Sequence, residues 1–214
     1  ADGYYEIDSA NDWYRFARIV ENDPTAKAKL VKDVDFTGVT DLSGYVIKSF
    51  SGILDGQGFT VKNINTTVTK NFAPFTTINA GGVVKNIKFD TISITSATNY
   101  VYVNLLSDTN RGTIENVSAS NVTLGANYAA VIADENYGTI TGCTLSSIHP
   151  DSKHSSGAVT RTNYTGASIE NCSVVSGSVT IYNDGTSSDV YGGGIVGTVS
   201  GGSILNCSNG ATVS

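Results

Sequence analysis

What this sequence lacks narrows its class. Only 15% of its 214 residues are charged, against roughly a quarter in an ordinary soluble domain. Disordered chains combine high charge with few aromatics; with 11 Tyr and 7 Phe, this one is expected to fold. No apolar run approaches the ~20 residues of a membrane-spanning helix, so no membrane insertion is expected in this segment. A net charge of −6 without clustered Lys or Arg argues against a nucleic-acid partner. The three cysteines, Cys143, Cys172 and Cys207, include no CxxC and make neither a disulfide framework nor a zinc site. They read as small buried apolar residues. Methionine is absent and the chain begins at Ala1, which reads as a processed or excised piece with any signal or anchor outside it.

What is present is repetition. The segments Gly81–Ile87, Gly112–Val117, Gly138–Cys143, Gly166–Cys172 and Gly201–Cys207 can be laid over one another. Their key polar positions are Asn86, Asn116, Gly142, Asn171 and Asn206, spaced by 30, 26, 29 and 35 residues. An apolar or small strand precedes each segment, and a Thr-rich strand follows most of them. The surplus of Thr, Val, Ile and Tyr favours strands. Three short strands per repeat, with almost no helix, describe one coil of a right-handed parallel β-helix, whose coils bury their apolar rows only by stacking. Equivalent residues then sit about 4.8 Å apart, so side-chain amides can pair along the stack. Asn86 with Asn116, and Asn171 with Asn206, are expected to do so. A second such column is expected through Asn79, Asn110, Asn136 and Asn163. The neighbouring row Ile87, Val117, Cys143, Cys172 and Cys207 should point inward. A Thr row through Thr95, Thr123, Thr180 and Thr212 could give a flat ladder of the ice-binding type, but the row is irregular and interrupted by Ser and Val, which argues against it.

The opening differs. Ser9-Ala-Asn-Asp12 resembles a capping box with Asp at its last position. Trp13, Phe16, Ala17 and Val20 fall on one helical face, and Asn22-Asp23-Pro24 ends the pattern. Residues 1–27 therefore read as an N-terminal cap with an amphipathic helix covering the unpaired first edge. Residues 28–214 read as β-helix repeats, continuous with the cap as one domain. The far end, Ala211 to Ser214, stops inside the pattern, so further coils or further domains of a parent chain are expected.

Candidate chemistry lies in columns. Aligning the repeats puts Asp108, Asp134 and Arg161 at one position of three successive coils. Two stacked carboxylates at about 5 Å have the spacing of a retaining glycosidase pair; the competing reading is a solvated column in which Arg161 offsets its acidic neighbours. Tyr102 and Tyr128 align likewise, with Tyr100, Tyr137, Tyr164 and Tyr191 near related turns, and exposed Tyr can stack on sugars or anchor protein contacts. Asp33, Asp35, Asp41 and Asp55 are a loose acidic set that matches no calcium-loop spacing. No cofactor or metal is expected.

The run Tyr191 to Gly197 (YGGGIVG) followed by Gly201 to Cys207 (GGSILNC) resembles the GLUG repeat. SANDWYRFARIVEN, AKLVKDVDFTG and FSGILDGQGFTVKNI resemble the start of GLUG-containing regions of bacterial surface proteins, some of which precede IgA-protease-like metallopeptidase domains. The resemblance covers nearly the whole chain and is looser in the middle, where Gly142 replaces the Asn. It implies an extracellular, cell-surface β-helix. It does not imply proteolysis here: there is no HExxH, and His149 and His154 stand five apart. The expected function is a non-catalytic binding or display module directed at glycans or host proteins, with Tyr100, Tyr102, Tyr128, Asp108, Asp134 and Arg161 as ligand-binding residues. The alternatives are a polysaccharide-acting enzyme using Asp108 and Asp134, or a passive spacer.

Overall fold

A computed structural model describes residues 3–96, 98–183, 185 and 190–214. Its strands form three parallel sheets of eight, five and eleven strands. The eight-stranded sheet runs through Tyr4–Ile7, Lys27–Leu30, Ile53–Asp55, Val83–Lys85, Thr113–Glu115, Thr139–Thr141, Ser168–Glu170 and Ser203–Leu205. Each circuit of the chain adds a strand beside the last, so the fold is a parallel β-helix, as the repeats predict. Leu54, Val84, Ile114, Ile140 and Ile169 align in register and are each 0% exposed. Full burial of such side chains is worth ~1.5–3 kcal/mol apiece, and no single coil can supply it.

The strands within a coil differ in detail from the reading above. Lys88–Ser96, Ser118–Ala130 and Thr144–Gly157 each fuse segments that the sequence suggests are separate. The reason is a left-handed residue, Thr91, Asn121 or Ser147 (φ 57°, 53° and 50°), which bends the strand without ending its pairing. A strand at Tyr4–Ile7 also precedes the helix and starts the eight-stranded sheet.

The repeated Asn has a backbone cause. Asn86, Asn116, Asn171 and Asn206 have φ of 53°, 52°, 54° and 52°, and Gly142 has 66°. Left-handed backbone costs most residues ~1–2 kcal/mol and is readily visited only by Gly and, less so, Asn or Asp. Gly142 is therefore equivalent to Asn at this corner in conformation, although it drops the amide. The expected amide bonds form on either side: Asn116 Nδ2 donates to Asn86 Oδ1 at 3.3 Å, and Asn206 Nδ2 to Asn171 Oδ1 at 3.4 Å. The row beside them points inward, with Ile87, Val117, Cys143 and Cys172 at most 1% exposed and Cys207 half-buried.

The second Asn column is shorter than expected. Asn110 donates to Asn136 and Asn136 to Asn163, both at 2.8 Å and buried. Asn79 is not a member. Ile78 holds the position in register with Asn110, and the Asn79 amide donates to Ser49 and Ser51. The threonine row does not form either: Thr95 aligns with Gly125, Thr123 with Ser93 and His149, and Thr212 with Ser178. The helix Ala10–Asn22 is as predicted. Ser9 Oγ accepts the Asp12 N–H at 3.3 Å and donates to its carboxylate at 2.9 Å, and Trp13, Phe16, Ala17 and Val20 are buried. They pack on Phe36, Phe50 and Phe75 of the first coils.

Replacing Asn116 by Ala is expected to cost ~1–2 kcal/mol in urea denaturation through its left-handed backbone. Asn116→Gly should cost less, because only the amide bond is lost.

Candidate functional site

In the eleven-stranded sheet Tyr102, Tyr128, Ser155 and Tyr191 occupy one register position of successive coils. In the five-stranded sheet the pairings on either side place Asp108, Asp134, Arg161 and Gly197 at another. Between these columns the chain turns through Asn104, Leu105, Leu106 and Ser107, each 0% exposed. The corner is re-entrant: Arg161 Cζ reaches across it to 5.6 and 5.5 Å from the Tyr102 and Tyr128 ring centroids. The two columns are thus the walls of a notch running along the helix axis. By strand alternation Asn104 shares the face of Tyr102, so it lies at the notch floor with Ala130, Gly157 and Gly193 in register above.

The aromatic wall is internally satisfied. Tyr102 and Tyr128 stack with centroids 4.3 Å apart and planes at 12°. His154, in a register irregularity of the strand Thr144–Gly157, sits 5.4 Å from Tyr128 and stacks at 6.2 Å on Tyr100. Tyr100 is 66% exposed and covers it. Because Arg161 is equidistant from both rings of the Tyr pair, it flanks the stack rather than capping a face. Stacking takes one face of Tyr102 and one of Tyr128, so a ligand meets the remaining surface of a paired stack rather than two isolated rings.

On the opposite wall Arg161 grips Asp134 bidentately, Nε to Oδ1 at 2.6 Å and Nη2 to Oδ2 at 2.9 Å. Its Nη2 also lies 3.6 Å from Glu135 Oε1. Although desolvation opposes its charge, the bond to Asp134 holds the Arg161 proton more firmly than usual. Asp108, one coil from Asp134, is different. Among the described residues its carboxylate has no hydrogen-bond or ion-pair partner, and burial, with the Asp134 charge second, pushes its pKa up to about 6. Glu135 carries the wall to a second stack: it accepts from the Tyr137 and Tyr164 hydroxyls at 3.3 and 3.1 Å. Those rings lie 4.3 Å apart, with Arg111 4.3 Å over Tyr137.

All six candidate residues thus come to one corner. The sequence reading missed Asn104, Ser155, Glu135 and His154. A further observation marks the same place. Among the described residues, apart from Arg18 Nε, the buried side-chain polar atoms without a partner belong to Asn104, Ser152, His154, Ser155 and Thr160. Buried unpaired polar groups are rare and costly, and three of these residues, Asn104, His154 and Ser155, belong to this corner, whereas Thr160 and Ser152 lie on strand faces that alternate away from it. The available signal was small residues, Ala130, Gly157 and Gly193, in the column of Asn104. The acidic set of the first coils is not brought together as a site. Asp33 is held down in pKa chiefly by the Thr60 N–H and Asp41 by the Ser43 N–H. The Thr37 hydroxyl and the Asn63 amide hold Asp35 at about 2. Despite burial, bonds from Gln57 and Asn86 lower Asp55.

Two stability outcomes follow from this electrostatics. Arg161→Ala leaves Asp134 buried and unpaired, and should cost ~3 kcal/mol by urea denaturation at pH 7.5. Asp108 has the opposite sign. Its folded pKa lies above the unfolded value, so folded protein binds more protons between pH 4 and 6, and stability falls as pH rises through that window. Asp108→Asn should therefore raise stability at pH 7.5 by about 1 kcal/mol, discounted for partial exposure, and change little at pH 4.

No family model matches the sequence, and no curated protein sequence matches it. Among solved structures, the chain is similar to one from Bacteroides ovatus described as a "putative immunoglobulin A1 protease". The likeness has a TM-score of 0.74 at 18% identity, and covers 100% of this chain and 68% of that one. At that identity, what the two chains share is the β-helical fold.

Proposed function

We propose that this chain is a non-catalytic, extracellular β-helical module of a larger bacterial surface protein, and that the axial notch is where it meets its ligand. The observation that carries the reading is the convergence on one corner of an ordered aromatic stack, a buried Arg–Asp pair and an unpaired carboxylate. Rigid elements hold every one of these groups, which suits a preformed binding face. A host glycan or host surface protein is the expected partner. The fold likeness to the Bacteroides ovatus chain supports association with IgA-protease-like parents of the GLUG type, with any metallopeptidase chemistry elsewhere in the parent.

A polysaccharide-cleaving reading has one observation in its favour, since an Asp near pH 6 suits a general acid. Against it, Asp134 is buried and both its oxygens accept from Arg161, which makes them poorly accessible to a sugar carbon. A passive spacer would not need an unpaired half-buried carboxylate.

Binding to an immobilised panel of host glycans and extracellular proteins tests the reading. Tyr102→Ala should weaken retention of any ligand about tenfold, the loss of one good hot-spot contact. Tyr14→Ala, on the cap helix, should not. Equal loss in both, or glycan cleavage abolished by Asp108→Asn, would overturn it.

A further inference from the structure

We propose that the Asp108 end of the notch takes a guanidinium or ammonium group presented by a basic peptide segment of a partner protein. This rests on the notch being the binding face and names the chemistry it would take. The protein already shows the mode of capture. One coil along, the Arg161 side chain lies against the Tyr102–Tyr128 stack and closes two hydrogen bonds on Asp134. Asp108 occupies the same register position as Asp134, but among the described residues no cation closes an ion pair on it, and Arg161 acts on it only through its more distant charge. Its neighbours in the column are Asp134 on one side and Thr76 on the other.

Three features favour a cation over a neutral sugar. Stacking takes one face of each ring, so a pyranose finds less aromatic surface here than on two isolated tyrosines. The wall presents three carboxylates, Asp108, Asp134 and Glu135, to one guanidinium, and the whole chain carries −6, which attracts a basic partner. A carboxylate partly withdrawn from water gains most from a charged donor, because such bonds strengthen where the dielectric is low. A peptide, rather than a small amine, is indicated by the floor. Asn104 Oδ1 accepts the Ala130 N–H at 3.1 Å, while its Nδ2 is buried and unpartnered on a residue that strand alternation places on the face of Tyr102. A main-chain carbonyl beside the basic side chain would satisfy it after a small opening of the floor.

The test uses the folded chain in solution with acetyl-Gly-Gly-Arg-Gly-Gly-amide, its lysine counterpart and its uncharged citrulline counterpart. Binding is read by NMR shifts of the Tyr102 ring and the Asn104 side-chain amide at low salt. The Arg and Lys peptides should give saturable shifts at both positions, and citrulline should not. Asp108→Asn should weaken binding by about tenfold or more, with Asp108→Glu partly restoring it and Asp41→Asn leaving it unchanged. Affinity should fall as pH drops through about 6, where Asp108 takes up a proton. Shifts spread over the acidic surface, or equal losses in Asp108→Asn and Asp41→Asn, would overturn the proposal. Saturable shifts from neutral oligosaccharides with none from the peptides would overturn the cation assignment and keep the notch as a binding face. Silence from peptides, glycans and proteins alike would remove both.

Discussion

Each coil of this chain completes the hydrogen bonding and the apolar burial of its neighbour, and the rest of the structure depends on that in-register stacking. A lone coil has a row of Ile or Val facing nothing and a row of backbone groups paired with water. Stacked, Leu54, Val84, Ile114, Ile140 and Ile169 become one continuous shaft. Stability is then a sum over neighbouring coils, and any residue that shifts register is felt along a column. The helix Ala10–Asn22, with its aromatic cluster against Phe36, Phe50 and Phe75, covers the edge at which that sum begins.

Stacking also dictates what corners are made of. A corner that recurs at every coil must be built from residues that accept its backbone angles without crowding the coils above and below. Asn and Gly meet that condition at φ near 50–66°. The amide bonds between stacked Asn residues then come at small additional entropic cost, since the backbone already holds the side chains in line.

The notch departs from this economy. The inward columns repeat apolar over apolar; here Tyr, Tyr and Ser face Asp, Asp and Arg. Asp108 remains unpaired, and Asn104 and Ser155 keep buried polar atoms without partners. Consistency between levels makes a fold stable, and local violations gather where a protein keeps a surface for use. The register irregularity that brings His154 under Tyr100 belongs to the same corner and interrupts an otherwise regular sheet.

The amino-acid sequence by itself determined the repeat, the β-helical class, the cap helix with its buried face, and the inward cysteine row. These follow from periodicity and local propensity, which are carried by neighbouring residues. It also aligned Asp108, Asp134 and Arg161, and Tyr102 with Tyr128, because counting from the Asn corner preserves register. Only the tertiary structure decided that the two columns face each other. That depends on the sense of the bend at Asn104 to Ser107, where four buried residues carry no turn signature. It likewise decided that Arg161 closes on Asp134 and leaves Asp108 free, a choice between adjacent carboxylates set by side-chain reach across coils. Asn79 fell out of its expected column for a related reason: loops of unequal length change register by a residue, so that Ile78 stands beside Asn110, and composition alone does not record the change.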